Sequence, residues 1–228
     1  MKKRCLSLFL AFLLIASSGI SIFALESKQT YEQYLFLCEK VEYVQNNYPE
    51  ATIFVLPSEK EFNDLLRSAS SKGTERLELT NSYTTIDDNG YEETLDVFSD
   101  GSFALTSIFG GKSSVQSGAG ANDFIIRWDY VTMTNSASIR INTVRSYGSS
   151  GYCFDSPSAV NCVGYYVSFY QFLTGGSPCT SVTFKGNYVQ YDSLTGLLEP
   201  QFAVDLTGSV NPSTGTVSAS HSYFGIPY

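Results

Sequence analysis

The chain has 228 residues and a net charge of −8, with 22 acidic against 14 basic side chains. Such a balance repels phosphate backbones and excludes nucleic acid as a natural partner. A single histidine, His221, excludes the His-rich metal centres and most zinc-hydrolase ligand sets, and no motif asks for a metal or a cofactor.

Lys2, Lys3 and Arg4 precede an apolar run from Leu6 to Ile15, and small and polar residues then lead to Ala24. This order predicts a secretory signal peptide over residues 1–24. Ser17, Ser18, Gly19 and Ser21 interrupt the run, which falls short of the roughly 20 apolar residues a membrane span needs. No lipid-anchor cysteine follows the run, and no C-terminal apolar tail or Leu-Pro-x-Thr-Gly signal occurs. The expectation is a secreted, extracellular protein with no membrane span after cleavage. Loss of the three basic residues takes the mature chain from −8 to −11.

Residues 25–73 predict a short helical segment. Tyr31, Tyr34, Leu35, Cys38, Val41 and Val44 recur at three- and four-residue steps and form one apolar stripe. Pro49 ends that helix, and Thr52 to Leu56 reads as a short strand or a link. Ser58 and Glu61 then have the spacing of a capping box, with Phe62, Leu65, Leu66 and Ala69 on the buried side.

Residues 74–109 predict an acidic β-meander, with eight acids against Arg76 alone across 74–108. These acids read as solubilising. Asp87-Asp88-Asn89-Gly90 predicts a type I′ hairpin turn, and Ser99-Asp100-Gly101-Ser102 a second turn. The first also invites a calcium reading, but its spacing lacks the alternate ligands and closing Glu of a helix–loop–helix site. Residues 110–122 are rich in Gly, Ser and Ala and predict a linker or long loop dividing the mature chain.

Residues 123–228 alternate as short strands separated by turns, which predicts a β-sandwich or jelly-roll domain. Val163 to Leu173 is apolar on both sides and reads as a strand buried on both faces or lining a contact. The fold class is therefore mainly β, with a helical N-terminal segment before the sandwich.

The mature chain has four cysteines, Cys38, Cys153, Cys162 and Cys179, which allow three pairings. Cys153 and Cys162 bracket a short polar stretch and are the first choice for a disulfide, of about 2–3 kcal/mol. Cys38 with Cys179 is what remains.

The stretch Tyr91 to Ile108 combines Glu-Thr-Leu, a Ser-Asp-Gly-Ser turn and Leu-Thr-Ser-Ile. It resembles exported β-sandwich proteins of Gram-positive bacteria, and that resemblance implies export and a sandwich fold but no activity or site residue. The short basic start, the Ser/Thr/Tyr/Asn-rich chain and the scarcity of Trp, Met and His have the same bacterial character.

Three functions remain open. A non-enzymatic binding protein for a surface glycan or protein would use exposed tyrosines, here Tyr165, Tyr166, Tyr170, Tyr188 and Tyr191. A secreted toxin or bacteriocin-like effector would use residues 25–109 as a pro-region. A carboxylate-based hydrolase would pair two of Asp129, Asp155, Asp192, Glu199 and Asp205. His221 alternates in phase with Val217, Ala219 and Tyr223, so it reads as a packed histidine whose loss costs about 1 kcal/mol.

Overall fold

The computed structural model describes residues 31–68, 77–110, 122–134, 136–162, 167–191 and 198–226. The predicted signal peptide, Gly73 and most of the Gly/Ser-rich stretch lie outside them. Two helices lead: α1 over residues 31–47 and α2 over Glu59–Ser68. The strands are β1 (Leu79–Ile86), β2 (Glu92–Phe98), β3 (Phe103–Gly110), β4 (Asn122–Val131), β5 (Ser136–Gly148), β6 (Gly151–Cys162), β7 (Val167–Gly175), β8 (Ser181–Tyr191), β9 (Leu198–Val210) and β10 (Val217–Phe224). Strands β1 to β6 form sheet A in chain order, and β10-β9-β8-β7 form sheet B. Every described pairing is antiparallel and joins neighbours in sequence. The fold is thus a sandwich of two meanders. A jelly roll would need the crossed connections of a Greek key, and neither sheet order contains one.

Alternation along each strand sets up the inter-sheet core. Phe124, Ile126, Trp128 and Tyr130 of β4 and Ala137, Ile139 and Ile141 of β5 face Val182, Phe184, Val204, Leu206 and Tyr223 of sheet B. The Trp128 and Tyr130 rings stack at 5.9 Å between centroids, and Phe202 meets Tyr130 edge-on at 5.3 Å. Gly208 faces the same core, where a Cβ would lie 2.0 Å from Ile126 Cδ1.

The helices cover the other face of sheet A. Leu37, Val41 and Val44 of α1, Tyr48 beyond it and Phe62 of α2 pack on Leu95, Val97, Phe103, Leu105 and Val131. The predicted stripe is rotated: Tyr31 and Leu35 are about half exposed, while Leu37 and Lys40 are buried. A buried carboxylate on the sheet, described below, draws Lys40 inward. The capping box forms as expected, with Ser58 N–H donating to Glu61 Oε2 at 2.8 Å and Glu61 N–H to Ser58 Oγ at 3.3 Å. The Thr52 to Leu56 stretch is a link, anchored by Phe54 N–H donating to the Gly101 carbonyl.

Both predicted turns occur, the first by a different device. Gly90 N–H donates to Asp87 C=O, Asp87 N–H to Tyr91 C=O, and Gly90 has φ +82°. Asn89 is not in the left-handed region, so the turn is type I closed by a glycine bulge rather than type I′. Asp87 Oδ1 accepts from the Asn89 and Tyr91 amides.

Three expectations change. Strands β3 and β4 pair from Phe103↔Val131 to Gly110↔Phe124, so residues 110–122 join neighbouring strands of one sheet instead of separating two domains. The stretch between Cys153 and Cys162 is not a loop but most of strand β6. It reads as polar because β6 is an edge strand, and Ser156 (φ +48°) and Pro157 sit at a bulge between Asn142 and Val144 of β5, where proline is tolerated. Finally, the strands buried on both faces are β2 and β3, since helices cover sheet A, whereas β7 is an edge with Gln171 and Leu173 exposed. A chain cut within residues 112–120 is expected to stay in one particle on size exclusion and to separate only in denaturant. Native separation of the two fragments would show that β3 and β4 do not pair as described.

Candidate functional site

Of the predicted tyrosine platform, only Tyr188 has a described side chain. Tyr188 is 4 % exposed, and its ring packs against Tyr130 at 5.0 Å and Phe202 at 5.1 Å in the inter-sheet core. Tyr165, Tyr166 and the side chains of Tyr170 and Tyr191 lie outside the described residues. The predicted disulfide does not form either. Cys153 and Cys162 are nine residues apart on one strand, which at about 3.3 Å per residue separates them by roughly 30 Å. A disulfide spans α-carbons only about 4.4–6.8 Å apart.

The acids of the meander are partly structural. Asp96 of β2 is buried between the sheets, and its Oδ2 accepts from Tyr223 OH at 2.8 Å and lies 2.5 Å from His221 Nε2. His221 Nδ1 meets the Thr106 hydroxyl at 2.8 Å, and Trp128 Nε1–H donates to Tyr223 OH at 3.2 Å. Burial works against the charge on Asp96. The hydrogen bond and charge of His221, with hydrogen bonds from Ser82 and Tyr223, outweigh it and hold the carboxyl below its ordinary range. The order hydroxyl, imidazole, carboxylate matches that of a hydrolytic relay. Thr106, however, is 2 % exposed and Asp96 1 %, so no substrate reaches the hydroxyl. The Thr106 hydroxyl can donate to a neutral imidazole or accept from a charged one. The cluster is a lock between β10 and sheet A.

Two further buried acids hold the helices. Glu93 Oε1 accepts from Tyr43 OH at 2.7 Å and Tyr48 OH at 2.9 Å. Desolvation, together with the Glu93 carboxylate, pushes both phenols far above their usual range. Asp129, fully buried, pairs with Lys40 Nζ at 2.8 Å and Arg127 Nε at 2.6 Å, and accepts from the Ser138 hydroxyl. Phe36 lies under both cations. Asp129 and Asp205 stand on opposite outer faces of the sandwich, so this pair of the proposed hydrolase acids shares no cleft. Among the described residues no group of three metal-ligating side chains occurs.

Among the described residues, no element packs on the outer side of sheet B. Register aligns its side chains in rows: Ser181, Ser209 and Ser218; Leu173, Thr183, Thr207 and Ser220; Gln171, Lys185, Asp205 and Ser222. Thr183 and Thr207 hydroxyls bond at 2.9 Å, and Lys185 pairs with Asp205. Asp205 Oδ1, itself buried, has no hydrogen-bond partner among the described residues. Phe224 and Leu173 stand exposed at 55 % and 40 %. Sequence reasoning missed this face because single serines and threonines on alternate positions look like ordinary solvated strand.

Fold and surface together define a helix-capped antiparallel sandwich with one hydroxyl-rich sheet face that no described element covers. In comparison with known proteins, the chain matches no family model, no curated protein and no solved structure.

Proposed function

We propose that this is an exported bacterial protein, non-enzymatic and extracellular, that binds a surface glycan through the outer face of sheet B. The observation that carries the reading is the set of hydroxyl rows around Lys185 and Asp205, flanked by Phe224 and Leu173. Serine and threonine hydroxyls both donate and accept, which suits polyhydroxylated ligands. The ion pair offers charge-assisted bonds. An exposed aromatic ring beside them can lie on the C–H face of a sugar. The basic, apolar and small-residue order of residues 1–24 supports export. A toxin reading is less well supported, because removing residues 25–109 would strip three strands from sheet A.

The test is binding of the purified mature chain to Gram-positive cell-wall polysaccharide by calorimetry. Phe224→Ala and Thr183→Val are expected to weaken it at least tenfold, about 1.4 kcal/mol each, with unchanged thermal unfolding. No polysaccharide binding, or binding unaffected by both substitutions, would overturn the assignment, as would capture of a surface protein alone.

A further inference from the structure

We propose that Cys153 and Cys179 form the disulfide of the oxidised protein, a clasp joining the edge of sheet A to the β7–β8 turn of sheet B. In the structure both are free, half-buried thiols. The edge of β6 is closed by two turns of sheet B: Tyr152 N–H donates to the Pro212 carbonyl at 2.8 Å and Phe154 N–H to the Cys179 carbonyl at 2.7 Å. The second bond fixes the pair. The Phe154 nitrogen is two bonds from the Cys153 α-carbon, and the Cys179 oxygen is two bonds from its own. Standard backbone dimensions then put the α-carbons no more than about 7.5 Å apart. The geometry overlaps the span a disulfide bridges, about 4.4–6.8 Å.

The thiols are only weakly engaged. Cys153 Sγ lies 3.4 Å from the Ser146 hydroxyl, and Cys179 Sγ donates to the Ser181 carbonyl at 3.3 Å. A rotation about χ1 releases each, since sulfur makes weak hydrogen bonds. Burial pushes the Cys179 thiol up, hydrogen bonds from Ser181 and Gly175 act against that, and nearby Cys153 adds to the rise. The other partners are out of reach. Cys162 is at the far end of β6, and Cys38 lies in α1, across sheet A from sheet B.

With oxidised glutathione as the electron acceptor, one protein thiolate attacks a glutathione sulfur and expels one reduced glutathione. The second protein thiolate then attacks the mixed disulfide at the protein sulfur and expels the other. Two electrons pass from protein to glutathione, and the two thiol protons end on the two expelled glutathione thiols.

The test equilibrates the full mature chain in reduced and oxidised glutathione, alkylates remaining thiols and maps peptides without reduction. The expected result is a dominant Cys153–Cys179 link, with both thiols losing alkylation together. Closing a loop of about 25 residues is expected to raise the thermal midpoint by about 10 °C over the reduced chain. Cys153→Ser and Cys179→Ser each abolish that rise, and Cys38→Ser keeps it. Should a serine variant fail to fold, the alkylation map of the natural chain still decides. A dominant link from either cysteine to Cys38 or Cys162 overturns the proposal. So does full alkylation of both thiols at the most oxidising ratio.

Discussion

His221→Ala is expected to lower stability by about 3–5 kcal/mol and the thermal midpoint by roughly 10 °C, while glycan binding at room temperature is retained. The sequence reading of a packed histidine put the cost near 1 kcal/mol. The difference is Asp96, which is 1 % exposed and loses the group 2.5 Å away that balances its charge. Tyr223 alone of the two sheet B side chains remains bonded to it. Thr106→Val removes only a neutral contact to the imidazole and should cost less, about 1 kcal/mol. The pH dependence has a definite sign. Asp96 has a folded pKa below its unfolded one, so its contribution is complete above about pH 4 and is lost as pH falls through the folded value. In Asp96→Asn that part of the acid-induced loss disappears. Unfolding monitored by circular dichroism from pH 7 to pH 2 measures both effects. An unchanged midpoint in His221→Ala would show that the cluster does not lock the sheets, and a hundredfold loss of binding with unchanged unfolding would place His221 in the functional site.

Lys40→Ala is expected to cost a similar 3–5 kcal/mol and to loosen the helical layer first. Lys40 is the residue of α1 that reaches the fully buried Asp129, and its departure leaves that carboxylate with Arg127 and Ser138. Arg127 belongs to the sheet, so the sheet keeps its own pair while α1 loses its anchor. Hydrogen exchange should therefore rise in α1 and α2 before it rises in β4 and β5. A double-mutant cycle with Asp129→Asn separates the pair from the packing. Strict additivity in that cycle, or equal loss of protection in helices and strands, would reject the anchoring role.

The parts of the fold legible in the sequence are those carried by local chemistry. The capping box at Ser58 and Glu61 needs only two side chains three residues apart. The turns at Gly90 and Gly101 need positive φ, and glycine announces it. The phase of His221 with Val217, Ala219 and Tyr223 follows from the two-residue repeat of a strand, and these residues do face the inter-sheet side. The candidate binding face was not legible. Its rows exist only once Lys185 lies opposite Asp205 and Thr183 opposite Thr207, and pairing across strands leaves no trace in either strand alone. Tyr188 misled for the same reason: an aromatic at a strand position is equally suited to either face until the register is set.

By itself the sequence determined a mainly β chain, a helical lead-in, a sandwich and the places where the chain turns. These follow from periodicity, capping and backbone sterics, which act over a few residues. Only the tertiary structure decided which acids are solvated and which are buried. Glu93, Asp96 and Asp129 look like the other acids of the chain, yet each is buried against donors up to 127 residues away in sequence, such as Tyr223 for Asp96. It also decided that residues 110–122 join two strands of one sheet and that Cys153 neighbours Cys179. Both are outcomes of long-range pairing, and burial and charge balance are properties of the assembled layers.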